Sequence, residues 1–158
     1  MAAERPAAVV RAGRLSGQRG LEKLGPAAAL LQAVCLLLGD RPHGAEPEQR
    51  VLQALSVLGV ATGEVVLGRH GGRVAYVIGG RGKDDRPAAW LDKQTFQPLR
   101  LVAPLGGVPH EVRFLDWGSP AGADQFPRAV EVWAGGQIRL RFAAEKVLAN
   151  PKLPDGLF

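Results

Sequence analysis

The stretch that comes nearest to a chemical motif is Ile78-Gly79-Gly80-Arg81-Gly82-Lys83-Asp84, a glycine-rich run carrying a lysine. A phosphate-cradling loop needs a glycine five positions before its last glycine and a Ser or Thr after the lysine, so that amides and a hydroxyl reach phosphate and magnesium. Those positions hold Val77 and Asp84, and the run reads as a charged loop. Nucleophilic chemistry finds equally little. Ser16, Ser56 and Ser119 lack a G-x-S-x-G setting. Cys35 lies in the apolar run from Ala27 to Leu38 without a charged neighbour to stabilise a thiolate. As the single cysteine it forms no internal disulfide, and it reads as a buried, inert thiol. Asp84-Asp85 and Asp92 are candidates for an acid and a base, but adjacent loop carboxylates and an Asp before a turn usually solvate or cap. His43, His70 and His110 each sit beside Gly or Pro, and no pair has metal-ligand spacing. The expectation is a protein with no catalytic residues, no metal and no cofactor.

Bulk properties narrow the partners. A chain of 158 residues, 46% hydrophobic and 22% charged, is long enough for one domain with a real core and too apolar for wholesale disorder. The formal net charge is +5, carried mostly by arginines spread singly: Arg50, Arg69, Arg73, Arg100, Arg113, Arg128, Arg139 and Arg141. A nucleic-acid footprint would be a basic cluster with interleaved aromatics, so no nucleic-acid partner is expected. No apolar run reaches the roughly 18–20 residues of a membrane span. The segment Pro26 to Gly39 has the length of a signal-peptide core and follows Arg11, Arg14, Arg19 and Lys23. It starts far from Met1 and is interrupted by Gln32, so it reads as a buried helix.

The elements that would have to position any site are legible from periodicity. Residues 1–24 form a poorly defined Ala/Arg/Gly-rich start, within which Ala7-Ala8-Val9-Val10 suits a strand. A helical unit spans 25–59. Its first helix runs from Pro26 to Leu38, with Leu30, Leu31, Val34, Cys35, Leu37 and Leu38 covering most of its circumference. Its second begins at Glu46-Pro47-Glu48, repeats apolar residues at Val51, Leu52, Leu55 and Leu58, and stops at Gly59. From 60 to 158 the period becomes two, as in an antiparallel sheet with one buried face. Strands are expected at Glu64–Arg69, Arg73–Ile78, Ala88–Asp92, Leu99–Ala103, Glu111–Trp117, Ala129–Ala134 and Gln137–Ala143. Gly71-Gly72 and Gly135-Gly136 read as two-residue hairpin turns. Leu99, Leu101 and Ala103 should share a face, as should Ile138, Leu140 and Phe142. The fold class is therefore α+β: one domain with two helices packed on a curved antiparallel sheet.

The aromatics gather in the sheet half: Trp90, Phe96, Phe114, Trp117, Phe126, Trp133, Phe142 and Phe158. Most should fill the core. A curved sheet covered by helices can instead enclose an apolar ligand, and the wall candidates are Leu31, Leu55, Tyr76, Trp90, Leu99, Leu101, Phe114, Trp133, Leu140 and Phe142.

One segment resembles a known family. Trp90-Leu91-Asp92-Lys93-Gln94-Thr95-Phe96-Gln97-Pro98-Leu99-Arg100 is similar to the W-[IL]-D-K-x-[TS]-x-x-P-[LV]-[RK] strand-turn-strand of LolA-like outer-membrane lipoprotein-sorting proteins. Phe126-Pro127-Arg128 resembles a second segment of that family, and Asn150 to Phe158 its closing stretch. The resemblance covers roughly residues 60–158. It implies an unclosed half-barrel with helices as a lid on its concave side, and binding of lipid or lipoprotein acyl chains in the periplasm. Partners would be a lipid or acylated lipoprotein and membrane-associated envelope proteins. The family also carries several long strands ahead of its helices; only about 25 residues precede Pro26 here, so a shortened sheet or an upstream start is expected. Two other classes remain open from the residues alone: a small-molecule enzyme on the same scaffold, or a protein-binding envelope-assembly module.

Overall fold

The alternation after residue 64 does build one antiparallel sheet. The computed structural model describes residues 9–11, 14–16, 27–38, 47–80, 86–121 and 126–147. In chain order the elements are β1 (Val9–Arg11), β2 (Arg14–Ser16), α1 (Ala27–Leu38), α2 (Pro47–Val57), β3 (Val65–His70), β4 (Arg73–Ile78), β5 (Ala88–Asp92), β6 (Pro98–Leu105), β7 (Val108–Leu115), β8 (Ala129–Ala134) and β9 (Gln137–Ala143). β1 and β2 pair as a small separate hairpin, and β3 to β9 form a seven-stranded unclosed sheet in which every strand pairs with its sequence neighbour. Local hairpins suffice for such a meander, because no strand has to cross over another. The expected Asn150–Phe158 close lies outside the described residues.

The helices follow from local chemistry. α1 is built mostly from Ala and Leu, strong helix formers, with one Gln, one Val, one Cys and no charge, a sequence that leaves no polar stripe. α2 opens on Pro47 with Glu48 in its first turn, where a missing amide costs nothing and a negative charge meets the positive helix end. It closes with two bonds of the Schellman type: Gly59 N–H to the Ser56 carbonyl at 3.0 Å and Val60 N–H to the Leu55 carbonyl at 2.9 Å. Leu55 and Val60 both enter the core, so the cap also fixes how the chain turns from helix to sheet.

Three departures from simple alternation stand out. β6 and β7 are longer than expected and meet at a two-residue turn, Gly106-Gly107. Both glycines have positive φ (60° and 76°), the left-handed geometry that lets a tight turn follow the strand twist. Pro104 and Pro109 look like breakers in the sequence, yet they face each other across the ladder. Pairs alternate between bonded and non-bonded, and one step in from a two-residue turn the pair is non-bonded, where no N–H is required. Second, the register shifts at Trp90/Leu91, with Trp90 opposite Arg100 and Leu91 opposite Pro98. Leu99 is left as the extra residue and packs with Trp90 and Val102, not with Leu101 and Ala103 as alternation predicts. Third, a shift at Val132/Trp133 places Ile138 opposite Trp133 while Leu140 stays opposite Val132.

The main core is a helix–sheet layer. Leu30, Ala33 and Val34 from α1, and Ala54, Leu55 and Leu58 from α2, pack on Leu101, Val112, Phe114, Val130 and Val132 of the central strands. A smaller cluster of Ala75, Val77, Ala88, Trp90, Leu99 and Val102 lies on the other side of the sheet.

Candidate functional site

The wall candidates divide between the two faces of the sheet. Leu55, Leu101 and Phe114 are buried in the helix–sheet layer, and Leu140 packs against its margin. Trp90 and Leu99 belong to the opposite cluster, and Trp133 reaches the charged groups of that side. Tyr76 is half-buried and Phe142 is 51% exposed. The side chain of Leu31 lies outside the described residues. Single-face alternation would have gathered the strand residues together; the shift at Trp90/Leu91 turns Leu99 away from Leu101, and strand parity puts Trp90 and Trp133 on that same far face.

On the helix-bearing side the main core is built of hydrophobic side chains, with buried His110 on the same face of β7 as Val112 and Phe114, and α1 sits over β6 and β7. Toward β3 the helical cover ends while the apolar surface continues. One cross-strand row runs Val65–Ile78–Ala89–Leu101, ending in the core, and the next runs Leu67–Tyr76–Leu91. Val65 is 55% and Leu67 59% exposed. Phe96 closes the row: its ring stacks on Tyr76 with centroids 6.0 Å apart and planes 14° apart, and it is 64% exposed.

The turn that presents Phe96 is built by Asp92. The Asp92 carboxylate is buried; its Oδ1 accepts the amides of Gln94 and Thr95, each at 2.9 Å, and its Oδ2 pairs with Arg73 at 2.9 Å. Backbone bonds from Asp92 N–H to the Gln97 carbonyl and from Phe96 N–H to the Asp92 carbonyl close the loop. Burial alone would raise the Asp92 pKa, but the Thr95 and Gln94 amides and Arg73 outweigh it and hold the carboxyl below its ordinary range. Asp92 is thus an anchor for a turn, the outcome its position before Lys93 suggested. Phe96 has a φ of 58°, a conformation that costs a bulky side chain about 1–2 kcal/mol.

The opposite face carries a ladder of charges and rings that no motif announced. The Arg100 guanidinium lies 4.7 Å from the Trp90 ring centroid and forks onto Glu111, Nε to Oε1 at 2.8 Å and Nη2 to Oε2 at 3.1 Å. Arg113 donates to the same carboxylate and stacks 4.2 Å over Trp133. Trp133 Nε1 donates to Glu131 at 3.0 Å, and Arg141 reaches Glu131 at 3.4 Å. Burial opposes ionisation of Glu111, yet the hydrogen bonds from Arg113 and Arg100 prevail and lower its pKa; Glu111 in turn raises that of Arg113. His70 is lowered first by burial and then by Arg100, with Glu111 opposing. The only sequence signal for the ladder was opposite charge at matching parity, and that requires the register to be known.

Chemically, these groups neutralise one another. Three carboxylates are matched by Arg73, Arg100, Arg113 and Arg141. Buried His110 donates Nδ1–H to the Val108 carbonyl at 2.9 Å. Among the described residues, no three His, Cys, Asp or Glu side chains are placed to hold a metal ion, and no helix is long and apolar enough to cross a membrane. No known protein family, curated protein or solved structure matches the chain.

Proposed function

We propose that the protein is a non-enzymatic binding protein that shelters the acyl chains of a lipid or lipoprotein, with its helices as a lid. The observation that supports this most is the largely apolar layer between helices and sheet, continuous through Ile78 and Ala89 with the uncovered Val65 and Leu67 of β3. Each methylene moved from water into such a layer gains about 0.8 kcal/mol, and no polar partner is needed to hold it. The resemblance of Trp90–Arg100 to the LolA-like strand-turn-strand agrees with this reading, since that segment folds as β5, turn and β6. The finer assignments, a half-barrel lidded on its concave side and a periplasmic site of action, belong to the same proposal.

Native mass spectrometry of protein purified from bacteria tests it. Adducts with lipid masses, released by raising the collision energy, are expected. A clean ligand-free mass from independent preparations, with no uptake of added fatty acid or phospholipid, would overturn the reading. One observation favours a protein-binding module instead: Val65 and Leu67 are exposed on β3, an edge strand of the seven.

A further inference from the structure

We propose that the Phe96 end of the helix-bearing face docks on an anionic lipid surface. The inference goes beyond the binding of a sheltered ligand and does not depend on it.

Phe96 occupies a left-handed backbone position that glycine would fill without strain, yet it carries a large ring that is 64% exposed. The interior gains little from it, since its ring partner is the half-buried Tyr76. Val65 and Leu67 extend the same apolar strip along β3. Two exposed cations flank the strip. Arg69 shares the side of Leu67 by alternation and pairs with Val74, and the Val74 carbonyl accepts the amide of Lys93 at 3.0 Å. Among the described residues the nearby acidic groups do not cancel them: Asp92 is buried in its turn and paired with Arg73, and Glu64 falls by alternation on the opposite side. Aromatic and aliphatic groups suit the headgroup–acyl boundary, cations suit the phosphates above it, and the chain's net charge of +5 adds to the attraction.

Co-sedimentation with vesicles tests the idea, using phosphatidylglycerol/phosphatidylethanolamine vesicles and pure phosphatidylcholine vesicles. The protein should sediment with the first at low salt, and about tenfold less with the second or at high salt. Phe96→Gly should bind about tenfold more weakly while its urea midpoint stays level or rises, because strain is removed along with the ring. The double variant Arg69→Glu/Lys93→Glu should lose binding to anionic vesicles. Failure of the unmodified protein to bind anionic vesicles, equal binding to both compositions, or unchanged binding by both variants would overturn the proposal. The first of these, combined with capture of a defined protein through Phe96, would mark the strip as a protein interface. Phe96→Gly should still carry co-purified lipid, which separates this test from that of the ligand.

Discussion

Arg100 and Glu111 form a two-pronged ion pair across β6 and β7, at 2.8 and 3.1 Å, on the side of the sheet that the helices leave bare. Trp90 stacks on Arg100, and Glu111 also holds Arg113, which stacks on Trp133, so this one carboxylate ties four strands, β5 to β8, through two arginines.

Glu111→Gln should therefore destabilise the fold by about 1–3 kcal/mol, since two half-buried guanidinium groups lose their shared acceptor charge. Urea denaturation followed by tryptophan fluorescence measures it. A loss below a few tenths of a kcal/mol would show that solvent screens the ladder completely.

Asp92→Ala should cost about 1–2 kcal/mol, because the Gln94 and Thr95 amides lose their acceptor and Arg73 its partner. Asp92→Asn keeps the amide acceptor and should recover a large part of that loss. Thermal unfolding of the two variants side by side distinguishes turn bonding from charge pairing.

Gly68→Ala should destabilise by about 1–3 kcal/mol. A Cβ at that position would lie 2.8 Å from a methyl group of buried Val77 and 3.7 Å from Trp90 Nε1, so Val77 must shift. Gly68→Ala combined with Val77→Ala should lose less than the sum of the single changes, which a double-mutant cycle reads directly.

His70 carries a pH signature. Its pKa is lowered in the fold, so between the folded value and the ordinary value near 6.5 the unfolded chain binds more protons. Stability is fully present above about pH 6.5 and falls as pH drops through that window. His70→Gln should flatten the slope there. A second loss should begin at lower pH, as the lowered carboxyls of Asp92 and Glu111 take up protons that the unfolded chain already binds at their ordinary values. Midpoints of urea unfolding from pH 8 to pH 3 test both parts.

Much of this was legible in the residues. The change of period after Gly59, the hairpin glycines at 71–72 and 135–136, and the strand-turn-strand from Trp90 to Arg100 marked seven strands in their observed order. The hairpin at Gly106-Gly107 was hidden behind Pro104 and Pro109, whose tolerance depends on which partner each meets across the ladder. Leu99 and Ile138 were assigned to faces by counting in twos, and a single extra residue in the strand defeats that count.

Local sequence alone determined where the chain is helical, where it is extended and where it turns, because those choices depend on groups within a few residues of one another. Only the tertiary structure decided which side chains meet. Arg100 lies eleven positions from Glu111, and its pairing depends on the bulge at Leu99 and the register of β6 with β7. The exposure of Phe96, stacked on half-buried Tyr76 at the margin of the sheet, is likewise a result of packing that no local pattern encodes.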